Sequence, residues 1–554
     1  MTVTEASRDA AAEAAATATP STPPTGLAAV VGSGDPRTIG KLFVGTSLLF
    51  LVASGVAGAL VDFELADASG SEIFEPDTAL RLFTLHSTAA LFLGVLPLLI
   101  GLATAIVPLQ VGAPTVAFPR ASAAAFWVWL VSGGIVLASY AIDGGPWGTE
   151  SDAVGLYILG LIAVSVALFV ATASVVTTVL TLRAPGLTLR RAPLFSWSVL
   201  VGGTGWLLTL PVLAAMLLIT YLDLRYGQQF LGGSGGVYNR IAWLFWQPTL
   251  YLVAVPALGI VADVVPVFAQ RRHHKHGAAM VLLGLAAALG VGAWAQTGVT
   301  IDDGITVPWL NEGPWIAVSF LAIVPVLGLF GLWNLTLLKG KVKVGTPLIL
   351  AQLGALAVLV GVAAGGATAI EDLNLDGTTW MTAQAVLVLA GALLAGLAGV
   401  AFWAPKLYGK LLPDAVVRLG ATVLFLGAFV AAVPLAIAGT LGQVRLATAD
   451  ILGAEAGTIP GVSGGDVDTV EVLDLIAGIG LAVMVFGGVL VALALLKRRS
   501  GEGPGDDPWG GHTLEWATSS PPPIGHFAAL PEITSEAPVY DARHAAAGTT
   551  EASA

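Results

Sequence analysis

Twelve stretches of this 554-residue chain run apolar for about 20 residues or more, the length a helix needs to cross a bilayer core. They fall at roughly 43–62, 82–108, 122–141, 155–182, 195–222, 240–268, 277–297, 315–337, 346–364, 382–404, 417–440 and 473–497. In lipid every backbone N–H and C=O must find a partner within the protein, and runs of this length do so as α-helices. Soluble domains carry about 25% charged residues; this chain carries 11%, with 56% hydrophobic residues and a mean hydropathy of +0.85. The expected architecture is an all-α integral membrane protein, a twelve-helix bundle over residues 41–499. Residues 1–40, rich in Ala, Thr and Pro and lacking a signal-peptide run, read as a disordered N-terminal tail, and 500–554 as a C-terminal tail.

The loops sort by charge. One set holds Arg120; Arg183, Arg190 and Arg191; Arg271, Arg272 and Lys275; Lys339, Lys341 and Lys343; Lys406, Lys410 and Arg418; and Lys497, Arg498 and Arg499, sixteen cations in all. The alternate set holds only Arg81, Arg225, Arg240 and Arg445, among acids such as Asp62, Glu64, Asp302, Asp303, Glu371 and Asp372. Cytoplasmic loops carry the excess of Lys and Arg, so both termini are expected in the cytoplasm. The absence of Cys excludes disulfides, thiolate metal sites and iron–sulfur clusters. The net charge of −12 gives no nucleic-acid-binding character. His273, His274 and His276, in "RRHHKH", read as a solvated basic loop rather than a metal site.

Several motifs go beyond apolar helices. Residues 85–120 read "LHSTAALFLGVLPLLIGLATAIVPLQVGAPTVAFPR", and 182–201 read "LRAPGLTLRRAPLFSWSVLV". Residues 243–251 give "WLFWQPTLY", 402–411 give "FWAPKLYGKL", and the tail carries "DPWGGHTLEWATSSPPPIGHF" at 507–527. In this order and spacing the chain resembles subunit I of the haem-copper oxidases, the cytochrome c and quinol oxidases of aerobic respiration, over roughly residues 36–540. The resemblance implies a bundle of the cytochrome c oxidase subunit I type, multi-pass in the cell membrane of a prokaryote. Its implied partners are the lipid bilayer and other respiratory oxidase subunits.

Members of that family reduce oxygen at a high-spin haem facing a copper ion, fed by a low-spin haem. Histidines hold all three, because imidazole suits both metals. This chain has seven His, of which only His86 falls inside a span. The family's His-Pro-Glu-Val-Tyr motif corresponds to Gln247-Pro248-Thr249-Leu250-Tyr251, so Gln247 stands at a copper-ligand position and Tyr251 at the active-site tyrosine. The two adjacent copper histidines correspond to Gln296 and Thr297, and the His-Phe-His of the tenth span to Ala383, Gln384 and Ala385. The lysine of one proton channel is Leu329 here, and the entrance Asp of the other is Thr115. Copper is therefore not expected. A Gln amide is a weak copper ligand but a good hydrogen-bonding partner within a bundle, and Thr249 is placed to satisfy the carbonyl that Pro248 frees.

His86 matches one low-spin haem ligand, and its partner position carries Ala385. Met381, four residues before Ala385, lies one turn away on the same helix face and offers a thioether. Arg445 matches the first of two arginines that hold haem propionates, the second being Leu446. Asp376 matches a magnesium-binding carboxylate whose His neighbour is Leu375, so that metal is not expected. His86, Met381 and Arg445 are thus the candidate cofactor contacts, and no cofactor is the primary expectation. The expected function is that of a non-catalytic paralogue in the aerobic respiratory membrane. The alternative is a haem-binding oxidase subunit with atypical ligation. A transporter is disfavoured, because the spans read as holding amides, hydroxyls and one His without an acid-and-base chain.

Overall fold

The computed structural model describes residues 26–65, 76–230, 236–292, 308–445, 458–497 and 503–551. After a short helical turn at Leu27–Val31 come α1 (Pro36–Leu65), α2 (Pro76–Thr88), α3 (Leu96–Gln110), α4 (Pro119–Ala141), α5 (Ser151–Thr181) and α6 (Leu194–Tyr226). There follow α7 (Gly236–Phe268), α8 (His276–Gly292), α9 (Pro308–Leu321), α10 (Ile323–Leu338), α11 (Thr346–Ala367) and α12 (Thr379–Phe402). The chain continues with α13 (Ala404–Tyr408), α14 (Asp414–Thr440), α15 (Val467–Leu496) and, in the tail, α16 (Pro538–Glu551). Among the described residues eleven helices are long and apolar enough to cross a membrane. The seventh apolar stretch, 277–297, begins as the shorter α8, and its remainder lies outside the described residues. The first span starts at Pro36, a few residues before the boundary drawn at 40.

Neighbours in sequence pack as antiparallel pairs, α4 on α5, α5 on α6, α6 on α7, α11 on α12 and α14 on α15. The bundle closes where α15 packs on α1, and α12 reaches across to α7. Lipid gives helices no hydrophobic reason to associate, so small residues that let backbones touch carry the packing. The α14–α15 seam shows this. A Cβ on Gly427 would fall 2.4 Å from the Met484 nitrogen, one on Gly480 2.3 Å from that of Ala431, and one on Gly487 2.4 Å from that of Leu424.

The second span departs from a regular helix. Between α2 and α3 the seven residues Ala89–Val95 form a π-helical segment, immediately after His86, Ser87 and Thr88. Such segments are rare and gather at functional positions. The span's apolar periodicity does not encode it.

The C-terminal segment is built into the molecule. Leu514, Glu515 and Trp516 are buried, as are His512 and His526. His526 Nδ1 lies 2.7 Å from the Ala113 carbonyl in the loop between α3 and α4. The Lys406 ammonium, buried after α12, donates to the carbonyls of Asp506 at 3.0 Å and Thr518 at 2.6 Å.

Candidate functional site

Tyr251 lies on α7 and is buried, with its ring against α8, where a Cβ on Gly290 would fall 2.7 Å from the Tyr251 Cβ. Its phenol oxygen accepts a hydrogen bond from Gln384 Nε2 of α12 at 3.4 Å. Gly365 of α11 makes room for both. A Cβ there would sit 2.3 Å from Gln384 Nε2 and 2.5 Å from the Tyr251 oxygen. Gln384, matched to the Phe of the family's His-Phe-His, thus reaches the tyrosine through its amide. Gln384 was not singled out from the sequence, because its partner is 133 residues away. Leu329, at the proton-channel lysine's position, is fully buried.

The Thr249 hydroxyl bonds the Phe245 carbonyl, four residues back. Pro248 releases the Leu244 carbonyl, one residue earlier, so the expectation that Thr249 satisfies it is corrected. A threonine reaches its own i−4 carbonyl, and that geometry selects Phe245. Of Gln247 only the helical placement is described, and Gln296 and Thr297 lie outside the described residues.

His86 is half-buried in the last turn of α2. Its Nδ1 lies 2.7 Å from the Ser54 carbonyl on α1, while the Ser54 hydroxyl donates to the His86 carbonyl at 2.9 Å. A carbonyl only accepts, so Nδ1 carries the hydrogen and Nε2 the lone pair. Metal-binding histidines are held in this manner, as are histidines that merely join two helices. Gly58 faces the ring, and a Cβ there would fall 2.6–2.9 Å from three of its atoms. Met381, in the first turn of α12, accepts the Gly377 N–H on its sulfur at 3.4 Å. Arg445 donates its backbone N–H to Gly377 at 2.8 Å. Its guanidinium lies 5.8 Å from the Phe83 ring centre, and its Nε has no partner among the described residues. The structure therefore brings Met381 and Arg445 together around Gly377.

The family's cofactors can be tested against these donors. One imidazole, His86, would supply a single nitrogen donor to a haem iron. Among the described residues no group of three His, Cys, Asp or Glu side chains is placed to hold a metal ion. The residues that the resemblance matched to copper ligands, Gln247, Gln296 and Thr297, are two amides and a hydroxyl, a donor set that does not suit copper.

Two expectations require correction. The inventory of amides, hydroxyls and one His omits three buried acids within the helices, Asp62 on α1, Asp263 on α7 and Asp474 on α15. Asp474 accepts from Gln443 Nε2 at 2.6 Å. Asp263 receives the first N–H groups of α6, from Leu194 at 3.0 Å and Phe195 at 3.2 Å, donors left over by helix geometry. Its signal was in plain sight, one acid in "LGIVADVVPVF". The "RRHHKH" loop is not fully solvated either. His273, His274 and His276 are half-buried, because the tail lies over the loop, with Arg272 pairing to Asp541 and Glu536. Burial, then the neighbouring His276, lowers the His273 imidazole to about 4. His512 falls to about 3 through burial and then Arg543. Both rings are neutral at physiological pH.

A bundle of this connectivity, with a polar Tyr251–Gln384 core and a docked tail, is one class of protein. The family model described as "Cytochrome C and Quinol oxidase polypeptide I" matches residues 38–483. The chain belongs to that family. It is 31% identical over 540 residues to a putative cytochrome c oxidase subunit 1-beta of Streptomyces avermitilis, covering 92% of this chain and 91% of the relative. It is 28% identical to the cytochrome c oxidase subunit 1 of Bacillus subtilis, covering 91% and 82%. The fold matches a chain of a heme-copper terminal oxidase dimer solved by cryo-EM, with a TM-score of 0.65 at 15% identity, over 84% of this chain and 85% of that one.

Proposed function

We propose that this chain is a non-catalytic paralogue of oxidase subunit I, seated in a prokaryotic cell membrane with both termini cytoplasmic and assembling with other respiratory subunits. One observation carries the reading. The two positions matched to the haem-ligating histidines of the tenth span hold Ala383 and Ala385. Neither side chain has a lone pair to offer iron. Between them Gln384, at the position matched to the Phe, bonds to Tyr251, with Gly365 packed against both. Gln247, Gln296 and Thr297 offer copper no imidazole. What persists lies away from those positions: the basic loops, and the buried "FWAPKLYGKL" turn on which the tail docks.

A second reading keeps a haem, and His86 favours it. With Nδ1–H on the Ser54 carbonyl, Nε2 is left to bind iron, and Arg445 is a cation for a propionate. Such a group would supply electron transfer, and this chain would contribute the orientation of one imidazole and a positive charge.

Purification from native membranes tests the proposal. The expected result is other oxidase subunits recovered with the chain, and no oxygen consumption by the isolated chain supplied with reduced cytochrome c or a quinol. Oxygen uptake that scales with the isolated polypeptide would overturn it.

A further inference from the structure

At the arginine- and lysine-rich end of the bundle, several elements converge on two buried carboxyl groups, Asp263 near the end of α7 and Glu515 in the tail. One amide nitrogen serves both. Gln110 Nε2, at the end of α3, donates to Asp263 Oδ2 at 2.8 Å and to Glu515 Oε1 at 3.1 Å. The Ser196 hydroxyl donates to Gln110 Oε1 at 2.7 Å, which fixes the amide and directs its two hydrogens at the two carboxyls. Trp403 Nε1 adds a bond to the same Glu515 oxygen at 3.1 Å. The other one, Oε2, is buried with no hydrogen-bond partner among the described residues.

No cation touches either carboxyl in the bonds described. The Lys406 ammonium spends its hydrogen bonds on the carbonyls of Asp506, Thr518 and Ser519, and its charge attracts Glu515 without touching it. Asp506 and Asp507 are the further acids beside Lys406, and Asp507 pairs with Arg543 at 2.6 Å. Two ionised carboxylates sharing one amide away from water repel each other, and burying the second negative charge beside the first is costly. The geometry points to a proton-binding site, in which Asp263 and Glu515 hold one proton between them and that proton keeps the C-terminal segment seated on the bundle. The site does not depend on whether the chain carries a cofactor.

The sign of the pH effect follows. Burial pushes the Glu515 carboxyl above its usual range, against the hydrogen bonds from Gln110 and Trp403 that pull it down. A carboxyl raised by docking holds the tail most firmly below its released value of about 4.3, and the hold weakens as pH rises toward the docked value. Lys406 acts oppositely and at higher pH. Burial lowers it to about 8, so its share of the hold grows as pH rises from there toward about 10.4. Burial also lowers His512 and His273, which strengthens the hold as pH rises toward their released value of about 6.5, so the carboxyl pair is read as the difference between the unmodified chain and variants of the pair.

The experiment uses the full chain in lipid nanodiscs and reads amide hydrogen-exchange protection at residues 514–519 from about pH 5 to about pH 7.5. Relative to Glu515→Gln, protection in the unmodified chain should fall by about tenfold over this range, the effect of one unit of proton linkage. Asp263→Asn, which removes the repulsion but leaves Glu515 buried, should show a smaller fall than the unmodified chain, and it decides the matter should Glu515→Gln prevent docking. An unmodified profile that runs parallel to that of either docked variant would overturn the site.

Discussion

At residues 383 and 385 an imidazole and a methyl group make different proteins, because only the imidazole has a lone pair for a metal. Between them the Gln384 amide gives a hydrogen to Tyr251. The fit is close enough that Gly365 cannot gain a methyl group without displacing one partner. Gly365→Ala should lower stability by about 1–3 kcal/mol, as overpacking does. Adding Gln384→Ala should recover part of that loss, read as a non-additive double-mutant cycle in thermal unfolding. Additive losses would show that the three residues do not form one unit. His86 and Tyr251 were legible because each is a polar residue inside an apolar run. Gln384 was legible only as the residue between two missing ligands, since its partner is supplied by folding. Asp263 was equally visible in its apolar run but was absorbed into the span, and only the structure shows what it caps.

Among the elements, the long apolar runs were legible because length and hydropathy suffice in lipid, where satisfied backbone forces the helix. Local departures were not. The π-helical Ala89–Val95 and the break between α9 and α10 leave no mark in a hydropathy pattern. Helix contact follows position rather than composition, as adjacent glycines of α15 show. Gly487 lies against the α14 backbone, whereas a Cβ on Gly488 would meet nothing within 4 Å. Gly487→Leu should therefore destabilise the bundle by at least about 3 kcal/mol, while Gly488→Leu should stay within about 0.5 kcal/mol. Equal effects in detergent-unfolding measurements would contradict the seam.

For the whole molecule, the tail is the part that sequence under-read. It was drawn as a segment apart, yet it covers the histidine loop, satisfies Lys406 and closes on Asp263 through Gln110. Its buried groups sit far apart in the chain, so no local pattern announces them. The family was legible from the motifs, and so was an all-helical membrane bundle, of which eleven membrane-length helices stand among the described residues. The central claim concerns the interior, where one histidine remains in the spans and the other ligand positions hold Ala, Gln and Thr. The most direct measurement is haem and copper per polypeptide on the purified chain, from a dithionite-reduced minus oxidised spectrum and metal analysis. The account predicts no stoichiometric copper and no paired haem bands. One copper and two haems in the isolated polypeptide would contradict it.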